Sequence, residues 1–67
     1  MPREYLIYRE LPCYPQGGQR FGAFPTFGKP WNGICDLLPT DVAEYARFNA
    51  KYKREAVAEA RRRWAHV

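Results

Sequence analysis

Hydrophobic and polar positions follow three different patterns along the chain, and each pattern predicts a different kind of structure. Residues 3–9 concentrate Tyr, Leu and Ile between charged ends without Gly or Pro, which is typical of a β-strand. Alternation places Tyr5 and Ile7 on one face of this strand and Leu6 and Tyr8 on the other. Because neither face is polar, we expect the strand to have neighbours or packing on both sides.

The middle of the chain, residues 11–39, is punctuated by proline and glycine throughout, which excludes a long helix there. Gly17-Gly18 predicts a turn, after which residues 20–24 pair with the first strand as a hairpin with a wide loop. Asn32-Gly33 is the signal of a tight hairpin, although Pro30 restricts any strand before it to a sheet edge. This region therefore predicts turns and short strands, in a sheet of two or three antiparallel strands at most.

Residues 40–65 predict one long helix, because they are rich in Ala, Arg, Glu and Lys and contain no Gly or Pro. Asp41 and Glu44 have the spacing of a capping box at its start, and Thr40 is the alternative cap residue. At about 100° per residue, eight side chains share one apolar face: Val42, Tyr45, Ala46, Phe48, Tyr52, Ala56, Ala60 and Trp64. The opposite face carries a basic stripe about 20 Å long at ~1.5 Å per residue, formed by Arg47, Lys51, Arg54 and Arg61.

Together these patterns predict one small α+β domain over residues 1–67. It contains an N-terminal β-hairpin or small antiparallel sheet, an irregular middle rich in Pro, Gly and aromatic residues, and one long C-terminal amphipathic helix. A chain of 67 residues has a thin margin of stability, because small domains bury only about 60% of the surface that the unfolded chain exposes. Formation of a homodimer or binding to a partner would therefore be physically useful.

The net charge of +4 is unevenly spread, with +1 in residues 1–39 and +3 in residues 40–67. A basic half attracts phosphates or acidic protein surfaces. The plainer interpretation is a solvated helix face that keeps a small protein soluble. Both interpretations stay open at the level of the sequence.

Catalytic and metal-binding chemistry finds little support in the residue types present. Cys13 and Cys35 are too few for a disulfide scaffold, and no apolar run behind a basic start indicates a signal peptide, so we expect an intracellular, cytoplasmic chain with free thiols. His66 is the only histidine, next to the chain end. Three distant Cys and His residues do not make a zinc site. We therefore expect no enzyme, no cofactor, no metal and no membrane span, since no stretch approaches the ~18 apolar residues that crossing needs.

The function that these features favour is binding to another macromolecule. The leading hypothesis is a protein-binding accessory or inhibitor that occupies an acidic surface of a protein partner or complex through Arg47, Lys51, Arg54, Arg61 and Trp31. Phages and mobile elements often use compact chains of this size to block a host assembly, which is an expectation from base rates. One alternative is a small nucleic-acid-binding protein that uses the same basic face. Another is a structural subunit of a large assembly, with residues 11–39 threaded between neighbours.

The aromatic run in the middle of the chain has two interpretations. Phe21, Phe24 and Phe27 are spaced by three and are followed by Trp31, a spacing that places side chains on one side of an extended segment with three residues per turn. Such a segment suits a partner's groove. For a chain this short we favour the other interpretation, in which the rings fold back onto the protein's own core.

Overall fold

The computed structural model of the chain describes residues 1–11, 20–30, 38 and 42–65. In chain order these residues form strand β1 (Arg3–Glu10), strand β2 (Arg20–Pro25), strand β3 (Val42–Ala50) and helix α1 (Lys53–Trp64). The three strands make one sheet in the order β2-β1-β3, and both pairings are antiparallel. The predicted α+β class is confirmed. The first strand lies in the centre of the sheet, as its apolar character on both faces indicated.

The two faces of the sheet are set by the alternation of side chains along each strand. On the face toward α1, Ile7 of β1 lies between Ala23 of β2 and Ala46 of β3, and Tyr5 lies opposite Phe48. The helix adds Ala56 and Ala60, which have no exposed surface. Five partly buried residues complete this core, namely Phe21, Ala46, Phe48, Val57 and Trp64. The small alanine side chains allow the helix to approach the sheet closely.

The other face of the sheet has its own packing. Leu6 is fully buried there, and the rings of Tyr8 and Phe24 lie in a tilted arrangement with their centroids 6.0 Å apart. The ring of Tyr8 covers Gly22, where a Cβ atom would collide with it. Burial, followed by the nearby charge of Glu10, raises the pKa of the Tyr8 hydroxyl above its ordinary value. The phenol therefore stays neutral where it packs.

The predicted helix over residues 40–65 is wrong in its first half. Residues Val42–Ala50 form β3, and α1 begins only at Lys53. The strand is explained by its period of two, since Glu44, Ala46, Phe48 and Ala50 point to the helix side and alternate with Ala43, Tyr45, Arg47 and Asn49. Pairing with the central strand overrides the helix propensity of its alanines. Asn49 is exposed on the strand.

The proposed capping box is wrong for the same reason. Glu44 lies in β3, where its carboxylate pairs with Arg9 at 3.4 Å across the sheet. The helix actually begins after Tyr52, whose backbone is extended and makes no side-chain cap bond. The carboxylate of Glu55 accepts a hydrogen bond from the backbone N–H of Lys51 at 3.3 Å. That contact supports the first turn, in the manner of a capping box displaced by one residue.

The predicted hairpin between the first two strands is confirmed in its strands, since β1 pairs with β2 in a register that sets Leu6 opposite Phe24. The predicted turns at Gly17-Gly18 and Asn32-Gly33 lie outside the described residues. So do Thr40 and Asp41, together with Cys13, Cys35 and His66. The predictions made for those residues, including free thiols, stay predictions.

Candidate binding surface

The net charge of the chain is concentrated in one part of the fold. Residues 51–65 carry six Lys and Arg side chains against two Glu, a net charge of +4 that equals the net charge of the whole chain. All six cations are exposed. We call them the basic surface, which comprises Lys51, Lys53, Arg54, Arg61, Arg62 and Arg63. It begins in the connection between β3 and α1 and continues along the helix.

At the start of the helix, two cations surround an exposed aromatic ring. The ring of Tyr52 is 45% exposed, with the guanidinium carbon of Arg54 4.5 Å from its centroid and the Lys51 ammonium 5.5 Å from it. Both cations are attracted by the π face of the ring. A guanidinium stacked on a ring loses freedom of movement but keeps its N–H donors for other groups. This end of the helix therefore offers an aromatic ring and partly ordered donors.

At the end of the helix, the cations are held by groups of the same chain. Glu59 accepts hydrogen bonds from both Arg62 and Arg63. These hydrogen bonds, from Arg62 first and Arg63 second, lower the pKa of the Glu59 carboxyl from 4.5 to about 2. The guanidinium carbons of Arg61 and Arg63 also lie 5.9 Å and 5.6 Å from the ring centroids of Phe21 and Phe48. This group of arginines thus helps to fasten the helix to the sheet.

The structure divides the cations that the sequence placed on one stripe. Lys51 and Arg54 lie together at the start of α1, whereas Arg61 lies about 10 Å further along the helix at ~1.5 Å per residue. Arg47 is not on the helix at all. It lies on β3, where its guanidinium pairs with the Glu4 carboxylate at 3.4 Å and donates to the Lys29 carbonyl at 2.9 Å. The continuous helical stripe is therefore wrong, and Trp31 lies outside the described residues.

Three aromatic side chains that the sequence did not predict at the surface are exposed, namely Phe27, Tyr45 and Tyr52. Tyr52 belongs to the apolar face of the predicted longer helix, but the break between β3 and α1 leaves it at a helix start. Phe27 was assigned to the core, and its side chain is 78% exposed. Phe21, by contrast, packs against the core as expected. Pro25 and Pro30 on either side of Phe27-Gly28 were a signal for a turn, and turn residues face solvent.

Comparisons with protein-family models, with curated proteins and with solved structures found no match for this chain. Among the residues that the structure describes, no three His, Cys, Asp or Glu side chains come together in a group that would hold a metal ion. No helix in the described part of the chain is long and apolar enough to cross a membrane.

Proposed function

We propose that this chain is a non-enzymatic module that binds an acidic surface of a protein partner through the basic surface, in the manner of an accessory protein or inhibitor. The observation that carries the proposal is the concentration of the whole net charge of +4 in residues 51–65, on side chains that are all exposed. A field of one sign on one side of a small protein steers it toward carboxylate-rich surfaces.

The cluster of Lys51, Tyr52 and Arg54 is the centre of the proposed contact. Tyr and Arg are the residue types enriched among side chains that dominate binding energy at protein interfaces. The 4.5 Å stacking of Arg54 on the Tyr52 ring orders the guanidinium before a partner arrives, which lowers the entropic cost of binding. Carboxylates of the partner would accept hydrogen bonds from the donors that stacking leaves available.

Binding to single-stranded nucleic acid is a second candidate, favoured by the same exposed ring. Nucleic-acid channels combine cations that follow the phosphates with aromatic side chains on which bases stack, and Tyr52 between Lys51 and Arg54 has that combination. It ranks second because the sequence has no helix-turn-helix, zinc-finger or RNA-binding signature to accompany these cations. The third hypothesis, a structural subunit threaded by residues 11–39, stays a prediction.

Affinity capture from a lysate of the native host, washed at low and at high salt, tests the proposal. We expect one defined protein to be recovered at low salt and only part of it to be lost at high salt, because salt screens the exposed charges but not the contact with the Tyr52 ring. Phosphate contacts behave differently, because affinity for single strands falls with a slope of about −0.7 per phosphate contacted in a plot of log K against log salt. Heterogeneous nucleic acid that leaves with salt would contradict the proposal and support the second candidate.

A matched pair of variants locates the contact on the surface. Lys51→Gln with Arg54→Gln removes two positive charges from the start of the helix. Arg20→Gln with Lys29→Gln removes the same charge from exposed positions outside the basic surface. We expect the first pair to lose the captured protein and the second pair to retain it. Equal losses would mean that only the net charge of the chain matters.

A further inference from the structure

A second surface, outside the basic surface, lies at the tip of the turn that follows β2. The backbone N–H of Lys29 donates to the Thr26 carbonyl at 3.0 Å, which closes a four-residue turn around Phe27 and Gly28. Both central residues have positive φ, +53° for Phe27 and +74° for Gly28. Glycine adopts such a backbone freely, but a bulky side chain does so only with strain. The backbone conformation at position 27 is therefore strained for a phenylalanine, and the ring of Phe27 is 78% exposed.

The turn is fixed to the sheet by a network of polar contacts. Thr26 is fully buried, its hydroxyl donates to the Glu4 carboxylate at 2.6 Å, and its backbone N–H donates to the Glu4 carbonyl at 3.1 Å. Arg47 reaches the Glu4 carboxylate and the Lys29 carbonyl from β3. The contacts hold both ends of the turn, so the Phe27 ring is presented from a rigid base. An ordered side chain costs less entropy on binding than a mobile one.

A groove of about 390 Å³ lies directly beside this ring. Its lining consists of Arg3, Glu4, Pro25, Thr26, Phe27 and Gly28. A cavity of roughly 150 Å³ is enough to hold benzene, so the groove is large enough for a phenyl ring. Gly28 leaves open space at this point, since an added Cβ atom would meet nothing within 4 Å.

We infer that the Phe27 turn is a homodimerisation site, at which each of two copies places its Phe27 ring in the groove of the other. A two-fold interface uses the same patch on both subunits and must be complementary to itself. This patch meets that requirement, because it has a projecting phenyl ring, a groove of suitable size beside it, and one cation and one carboxylate in the groove lining, Arg3 and Glu4.

The reciprocal contact would bury an aromatic side chain that is exposed and has a strained backbone in the single chain. Phe27 contributes strain and exposed apolar surface to the monomer, and both are compensated when the ring is covered by Pro25 and Gly28 of the second copy. A second copy is favoured over an unrelated protein because the patch supplies both halves of the contact. A 67-residue chain with a thin margin of stability also gains from association.

Sedimentation velocity over a range of concentrations tests this inference. The buffer contains about 0.3 M NaCl, so that repulsion between two positively charged copies is screened. We expect a monomer–dimer equilibrium with a dissociation constant on the order of 100 μM or tighter. Phe27→Ser is expected to weaken the dimer at least about tenfold, as the loss of an anchoring aromatic side chain does at interfaces.

Two further variants separate the dimer contact from effects on folding. Phe27→Gly suits the positive φ, so it is expected to abolish the dimer without lowering the stability of the monomer, measured by thermal unfolding at low concentration. Tyr52→Ser removes another exposed aromatic ring and is expected to dimerise as the wild type does. Both Phe27 variants keep all charges of the basic surface, so they are expected to capture the same protein as the wild type. Loss of the dimer and loss of the protein contact can therefore be distinguished.

Three results would overturn the inference. A wild-type chain that stays monomeric at every concentration excludes the dimer. A dimer that Phe27→Ser and Phe27→Gly form as tightly as the wild type must use another surface. If the wild type instead stays monomeric and binds phosphatidylserine-containing vesicles in a way that depends on Phe27, the ring enters a membrane and not a second copy.

Discussion

Three cations lie at each end of helix α1, counting Lys51 in the connection that precedes it, but their surroundings differ. At the start, the side chains of Lys51 and Arg54 lie against the exposed ring of Tyr52, and the Glu55 carboxylate accepts a hydrogen bond from the Lys51 backbone. At the end, Glu59 accepts from Arg62 and Arg63, while two of the three arginines lie on rings of the sheet. The conspicuous Arg-Arg-Arg run is thus used largely within the chain, and the less conspicuous start of the helix is open to a partner.

The comparison teaches that the number of cations in a sequence does not measure their availability. A carboxylate three or four residues before an arginine on a helix reaches it across one turn. Glu59 has this spacing to both Arg62 and Arg63. Lys51 and Arg54 have no such carboxylate before them on the helix, since α1 begins only at Lys53.

The contacts at the end of the helix depend on its docking against the sheet, and Ala60→Leu is expected to break them. Ala60 has no exposed surface, so a larger side chain pushes the helix outward at a cost of about 1–3 kcal/mol in the free energy of unfolding. Arg61 and Arg63 would then lose their contacts with aromatic rings of the sheet. The contact of Arg54 with Tyr52 is local and is expected to survive. Chemical denaturation measures the first effect, and NMR of the aromatic ring protons measures the second.

Ala58→Leu is the matched control for this prediction. Ala58 is exposed on the same helix, so the same substitution is expected to change the free energy of unfolding by less than about 0.5 kcal/mol. If the two variants were equally destabilised, the helix would not be docked through the face that contains Ala60.

A smaller effect is expected in acid, where Glu59 becomes protonated and its ion pairs with Arg62 and Arg63 are lost. The pKa of Glu59 is lowered from 4.5 to about 2 in the folded chain, so its stabilising contribution is present above 4.5 and disappears as the pH falls toward 2. Glu59→Gln removes the contribution at all pH values. The difference in stability between wild type and variant should therefore shrink as the pH falls through this window.

Unfolding curves recorded at several pH values check this prediction. Glu55→Gln serves as the control, because it removes the same charge one turn earlier and leaves Arg62 and Arg63 with their partner. A difference between wild type and Glu59→Gln that stayed constant down to the lowest pH would contradict the assigned ion pairs.

The sequence was sufficient to predict the parts of the fold that depend on local composition. Residues 3–9 are rich in β-forming side chains, and their strand is confirmed as β1. The strand β3 was missed because its alanines and charged residues favour a helix locally, and its pairing with β1 depends on residues more than thirty positions away. Only the alternation of side chains between the two faces from Glu44 to Ala50 indicated a strand. Ala46 and Phe48 fit the period of a strand and also the period of a helix.

The candidate surface was predictable to a similar extent. Lys51 and Arg54 are exposed as predicted, because exposure of charged residues follows from composition alone. Arg47 was misplaced together with the strand that carries it. Phe27 was missed because an aromatic residue is normally buried, and only the backbone geometry of its turn shows that the ring projects.

The most direct test of the central claim compares the two ends of the helix in one binding experiment with the captured protein. Lys51→Gln with Arg54→Gln and Arg62→Gln with Arg63→Gln each remove two positive charges. We expect the first pair to weaken binding at least about tenfold, as hot-spot residues do. The second pair should change it less than about threefold, as exposed charges with little part in a contact do. Equal losses, or a larger loss from the second pair, would contradict the account.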